Sequence, residues 1–332
     1  MLPPLLFTPI YRRYLWGGRR FASLLGRDLP AGDDFAESWE VVDRRDDQSV
    51  VATGALAGRT LGDLVTHHGR ALLGRHEGLT SFPLLFKFLD ACRDLSVQVH
   101  PDDDRAARLA PPDKGKTEAW YVIDAAPGSR LWAGLKAGVD RESLAAALRE
   151  DRCEEVLHVV EPKAGDCIFI PAGTVHAIGA GLVVAEIQQS SDVTYRLHDW
   201  NRTGPDGKPR PLHLEAGLEA VSRFGPVEPT PLAPLAPLAP LASTSSPGVR
   251  RLATCDYFVF DEVTPGADWS VGGDDACHLL AIVGGRVALD EAWGLPDLGP
   301  GRTVLLPAEI GPQTVRCVGD AEGAKLLHVA LG

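Results

Sequence analysis

Short apolar or alternating runs, each closed by glycine or proline, recur through the larger N-terminal part of the chain, the pattern of β-strands rather than helices. Residues 82–89, 156–160, 166–170 and 181–188 predict strands of this kind, with Pro162, Gly165 and Pro171 marking the ends of two of them. Two segments carry helical spacing instead. Thr60 is placed to cap a helix over 61–73 whose apolar face is Leu61, Leu64, Val65 and Leu72. Asp140 does the same for 141–149, with Leu144, Ala145 and Leu148 as its stripe. At 226–248 the pattern stops. Pro-Leu-Ala repeats from Pro231 to Ala242 and Ser243-Thr244-Ser245-Ser246 follows. Proline at every third position blocks helix and sheet ladder alike, so this segment predicts an extended polyproline spacer, or a ligand for a proline-reading module. It divides residues 1–225 from a smaller unit at 249–332. There Gly272-Gly273, Gly284-Gly285 and Gly299-Pro300-Gly301 separate short apolar runs and predict an all-β domain.

A chain of 332 residues can bury two cores, and 45% hydrophobic with 23% charged residues is globular composition. The formal charge of −12, with no lysine or arginine run, argues against a nucleic-acid partner but leaves room for a small anion held by local cations. Six cysteines, none in a CxxC pair, read as reduced core thiols. The N-terminus is apolar first and basic afterwards, the wrong order for a secretory signal, and no apolar stretch reaches the ~20 residues a bilayer requires. A cytoplasmic protein without a membrane partner, monomer or homodimer, is the expectation.

Candidate chemistry gathers in three short segments. Gln98 and His100 lie two apart in a predicted strand and so share a face. Glu118 begins an apolar strand in which Trp120 and Val122 would point the same way, and a carboxylate there is costly unless it is paired or metal-bound; taken alone it is equally a surface residue. Gly165, Pro171 and Gly173 make two turns that bring His176 into the next strand facing inward. Gln98, His100, Glu118 and His176 together form an N/O ligand set suited to a divalent metal such as zinc.

The spacing Gly165-x5-Pro171-x-Gly173-x2-His176 resembles the second motif of the cupin barrels. In matching order from about Tyr11 to Ala216, Tyr14-Leu-Trp-Gly-Gly18, Glu37-Ser-Trp-Glu40, 82–91, 95–103, 115–121, 170–178 and 191–197 are similar to the type I mannose-6-phosphate isomerases in their short bacterial form. That resemblance implies a mainly β fold: a cupin jelly-roll catalytic domain with a few helices, plus a smaller C-terminal β domain of cupin-like type. It implies one Zn2+ per chain on Gln98, His100, Glu118 and His176, and reversible interconversion of mannose 6-phosphate and fructose 6-phosphate through an enediol(ate). It also implies Lys116 and Arg196 as active-site cations, with Ser96 and Lys87 near the substrate phosphate. Asp192 falls in the matching stretch and is expected to orient Arg196. Two departures stand out: Ala180 replaces the asparagine that often closes the second cupin motif, and Gly115 stands where longer relatives carry histidine. The base stays open among Lys116, Asp192, Glu186, His198 and a metal hydroxide, and Lys87 is either an anion ligand or a lysine snorkelling from an apolar run. The competing readings are another metal cupin (a different sugar-phosphate isomerase or epimerase, or a non-haem iron dioxygenase) and a non-catalytic sugar-binding cupin.

Overall fold

The computed structural model describes residues 1–204, 207–231, 236–237, 248–266, 268–319 and 323–332. Among these the strands form four antiparallel sheets. One orders Cys167–Ile170, Glu118–Ala125, Leu182–Gln189, Leu84–Ala91, Phe35–Val41 and Ile10–Gly18. A second orders Tyr195–His198, Val97–Val99, His176–Ile178, Leu131–Leu135 and Leu157–Val160. The C-terminal residues supply most of an eight-stranded sheet and all of a three-stranded one.

The near-continuous apolar runs have a physical reason: the first sheet is buried on both faces. Side chains alternate along each strand, so Leu89, Ala91, Trp120, Val122, Leu182 and Val184 meet Leu131, Ala133 and Ile178 of the five-stranded sheet. Phe86, Phe88, Ala119, Tyr121, Ala185 and Ile187 face the other way, onto Phe258, Phe260, Leu279 and Leu327 of the eight-stranded sheet. That sheet in turn packs Val263, Leu280 and Leu326 against Trp269 and Val315 of the three-stranded one. The result is a stack of sandwich layers, mainly β, with the candidate ligands on or beside strands of the six- and five-stranded sheets.

Both predicted helices form. Thr60 Oγ1 accepts from Asp63 N at 3.1 Å, and Asp140 Oδ1 from Ser143 N at 2.8 Å. In the second helix Ala147 joins Leu144 and Leu148 in the core, while the expected Ala145 is only half-buried. The C-terminal strands are not self-contained. Leu5–Thr8 pairs with Thr303–Leu306 on one side and Val50–Val51 on the other, so the first strand of the chain lies within the C-terminal sheet. Most of the Pro-Leu-Ala repeat falls outside the described residues. Contrary to the expectation that its prolines exclude ladder pairing, Ala236–Pro237 pairs with Gly248 and Val249 at the sheet's end, a position where proline is tolerated. Among the described residues no helix is long and apolar enough to cross a membrane.

Candidate active site

The inner face of the six-stranded sheet changes character at one end. Where the same alternation that delivers Leu89 and Val184 to the core reaches Lys87, Glu118 and Glu186, it places charges in the interior; Glu37 from Phe35–Val41 joins them. Lys87 Nζ lies 3.5 Å from Glu37 Oε2 and 3.4 Å from Glu186 Oε1. Lys116 Nζ lies 3.4 Å from the same Glu186 oxygen and donates to Glu118 Oε2. Charges thus alternate along Glu37, Lys87, Glu186, Lys116 and Glu118. Such buried ions persist only when mutually compensated. The three carboxylates against two ammoniums leave a surplus of negative charge for a bound cation.

The five-stranded sheet brings the imidazoles. Gly165 (φ 95°) and Gly173 (φ 84°) take the left-handed conformations that the turns before and after Cys167–Ile170 demand. His176 then starts its strand fully buried, opposite Gln98 in the neighbouring one. Gly173 N donates to His100 O at 2.9 Å, tying the two histidine segments together. The ring centroids of His100 and His176 are 4.8 Å apart. One ligand atom from each of His100, Glu118 and His176 falls within 4.8 Å of the others.

The three residues fit a metal. His100 Nδ1 hydrogen-bonds Val193 O at 2.8 Å and His176 Nδ1 hydrogen-bonds Thr174 O at 2.9 Å, so in each ring the proton sits on Nδ1 and Nε2 carries a lone pair. His176 Nε2 is buried without a hydrogen-bond partner, 3.3 Å from Glu118 Oε1. Burial and the Lys116 charge push both imidazoles well below the usual histidine range, His176 to about 3, so both are neutral ligands at pH 7. Burial pushes the Glu118 carboxyl up, against the pull of Lys116. Lys116 Nζ, 3.1 Å from His100 Nε2, already shows that this corner attracts positive charge.

The cluster opens into a pocket of about 340 Å3, at the lower end of the range for small-molecule sites. Lys87, Ser96, Gln98, Lys116, Glu118, Asp192 and Arg196 all line it, and His100 and His176 lie buried behind Glu118. Two expectations are corrected here. Asp192 does not orient Arg196; it is exposed at the rim, and the Arg196 Nη1 donates instead to Pro211 O at 2.9 Å. His198 is not in the pocket. A register shift after Arg196 turns it outward, where its Nε2 meets Asp151 Oδ1 at 2.7 Å. Lys87 is not snorkelling: burial works against its charge, but Glu186 and Glu37 raise its pKa above the usual lysine value. Glu186 is held below the usual carboxylate range by Lys87 and Lys116 although burial opposes it.

Arg210 is a lining residue that the sequence did not reveal. Its Nε donates to Asp199 Oδ2 at 2.7 Å and Nη2 to Oδ1, which aims the guanidinium beside Arg196. Arg196 Nε is buried with no partner, and burial together with Arg210 lowers its pKa. Unlike Lys87 and Lys116, Arg196 forms no direct ion pair among the described residues, the nearby Asp199 being taken up by Arg202 and Arg210. The pocket adjoins a wider cleft of about 760 Å3 and shares Tyr14, Trp16 and Arg210 with it.

A buried His/Glu/His cluster at the inner end of a pocket in a layered β-sandwich, with cations lining that pocket, is an arrangement that can hold a metal ion, as the metal-dependent cupin enzymes do. The family described as phosphomannose isomerase type I, catalytic domain, matches residues 5–121. Mannose-6-phosphate isomerase ManA of Bacillus subtilis is 42% identical over 218 residues, 66% of this chain and 68% of that protein. The mannose-6-phosphate isomerase of Streptococcus mutans is 37% identical over 231 residues, 70% and 72% of the two chains. The crystal structure of the Bacillus subtilis mannose 6-phosphate isomerase superimposes with a TM-score of 0.85 at 27% identity, covering 99% of both chains. The chain belongs to the type I phosphomannose isomerases, which are aldose–ketose isomerases.

Proposed function

We propose that the protein interconverts mannose 6-phosphate and fructose 6-phosphate with zinc held by His100, Glu118, His176 and, from the adjoining strand, Gln98. The observation that carries the reading is the position of Lys116 Nζ, within hydrogen-bond reach of a metal ligand on one side and Glu186 on the other. An N/O ligand set suits zinc, and the bound ion supplies Lewis-acid stabilisation of charge developing on the sugar oxygens. Isomerisation moves one proton from C2 to C1, which asks for one mobile proton carrier facing both carbons. Lys116 is that carrier when its Nζ is the free amine, the form that takes the proton from C2, becomes ammonium, and returns the proton at C1. Glu186, already ion-paired twice, holds Lys116 in place rather than acting as base.

The substrate phosphate lies toward Arg196 and Arg210. Both lysines are compensated by carboxylates, whereas Arg196 lines the pocket without a direct ion pair, and planar guanidiniums suit phosphate oxygens. Anchoring the phosphate there holds C1 and C2 in register with Lys116. Asp192 remains a rim residue of the same pocket, Ser96 a hydroxyl within it. The catalytic chemistry belongs to residues 1–225 and acts in the cytoplasm.

The test is metal analysis of the purified protein with a coupled assay on mannose 6-phosphate under nitrogen. Stoichiometric zinc and oxygen-independent turnover are expected; turnover that requires oxygen would make it a different cupin enzyme.

A further inference from the structure

We propose that the C-terminal part of the chain positions Lys116, through Tyr257 and Asp103. Tyr257 sits in the turn between strands Gly248–Thr254 and Phe258–Thr264, and its hydroxyl donates to Asp103 Oδ2 at 2.6 Å. The other oxygen of Asp103 accepts from Gly115 N at 2.7 Å and from Gln189 Nε2 at 3.0 Å. Gln189 Oε1 in turn accepts from Thr117 N at 2.9 Å, and Lys116 N donates to Pro101 O at 3.0 Å. Three successive amides, those of Gly115, Lys116 and Thr117, are therefore fixed, and Asp103 and Gln189 hold the two that flank the lysine.

This arrangement also explains why position 115 is glycine. A Cβ there would lie 2.6 Å from Asp103 N and 3.0 Å from its Oδ1, so any side chain at 115 would displace the carboxylate that holds the loop. Asp103 itself opens a short helix whose preceding residue, Asp102, caps it through Arg105 N, which fixes the carboxylate's own backbone. A C-terminal turn more than a hundred residues away thus reaches the loop that delivers the proton carrier, linking the outer sheet to the pocket. Asp103, Gln189 and Tyr257 are positioning residues, since none touches the substrate pocket.

The inference rests on Lys116 carrying the proton. Asp103→Ala, Asp103→Asn and Tyr257→Phe in the full chain test it, with Lys116→Met alongside. Misplacement of a reacting group by about 1 Å costs up to a hundredfold, so Asp103→Ala should lower kcat by about tenfold or more with KM within about threefold. Asparagine retains an acceptor for both amide donors and a donor toward Tyr257, so Asp103→Asn should restore kcat to within about threefold of the parent. Loss of one hydrogen bond in Tyr257→Phe should lower kcat by about fivefold. Bound metal should stay unchanged throughout, and the melting temperature should fall by no more than a few degrees. Parental kcat in Asp103→Ala and Tyr257→Phe overturns the proposal, as does a loss that follows metal content or melting temperature, or one that asparagine fails to rescue. The Lys116 reading fails on a different result, parental turnover in Lys116→Met.

Discussion

Lys116 Nζ has three acceptors within reach, on His100, Glu118 and Glu186, so a buried nitrogen that alternates between amine and ammonium keeps hydrogen-bond partners in both forms. Lys116→Met should leave bound metal near normal and cut turnover by about two to four orders of magnitude, the range general acid–base catalysis supplies, as steady-state kinetics and metal analysis on one preparation would show. His176→Ala behaves differently, because it would remove one of the proposed ligands. Metal and activity should disappear together while the circular dichroism spectrum stays that of the parent. Retained activity in metal-stripped His176→Ala would remove the metal from the mechanism.

At the scale of elements, glycines reveal how tightly the sheets approach each other. Gly17 lies where strand Ile10–Gly18 meets Phe35–Val41, and a Cβ there would fall 2.5 Å from Ala36 N and Asp34 O. Both contacts are backbone atoms that cannot swing aside. Gly17→Ala should therefore destabilise by about 1–3 kcal/mol, measured by urea denaturation, the cost of overpacking a close-packed interior. A midpoint equal to the parent's would mean that the glycine pair is not there for packing. Gly165 and Gly173 serve another purpose, since each needs positive φ to turn the chain into and out of strand Cys167–Ile170. Their spacing was legible for that reason: the turn requires glycine at fixed offsets, and His176 follows at the only distance that points it inward. Ala145, by contrast, is not the core-facing alanine, because three consecutive alanines in a short helix do not show which of them faces the core.

For the whole molecule, the sheet that completes the C-terminal half includes the first strand of the chain. Leu5 is buried in register with Leu305, and one hydrophobic cluster runs from Phe7 and Leu25 through Phe86 to Phe258 and Leu327. Residues 249–332 alone should therefore stay unfolded, as amide dispersion or circular dichroism would show, despite the repeat that separates them along the chain. A folded fragment would establish the division as a true domain boundary. Acid stability is also a property of the whole. Burial holds His100, His176 and His278 below the ordinary value of 6.5, so on acidification the unfolded chain takes up protons first. Stability is complete above about 6.5 and declines as pH falls below it. Urea midpoints at pH 7.5 and 5.5 should show the drop, and His278→Gln should lessen it, His100 and His176 still contributing; His278 faces Asp274, His328 and Arg75, and burial prevails over the pull of Asp274.

Strand pattern, helix caps, the turn glycines and the candidates His100, Glu118 and His176 were legible in the sequence, and the fold brings those three side chains together. Each depends on local rules: a period of two, a capping oxygen, a positive φ, a charge that an apolar strand does not tolerate unpaired. Arg210, the misreading of Asp192, the outward turn of His198 and the link from Tyr257 to Lys116 came only from tertiary structure. No local rule reports them, because each is a distance between segments brought together by sheet stacking, or a one-residue register shift that sends a side chain to the opposite face.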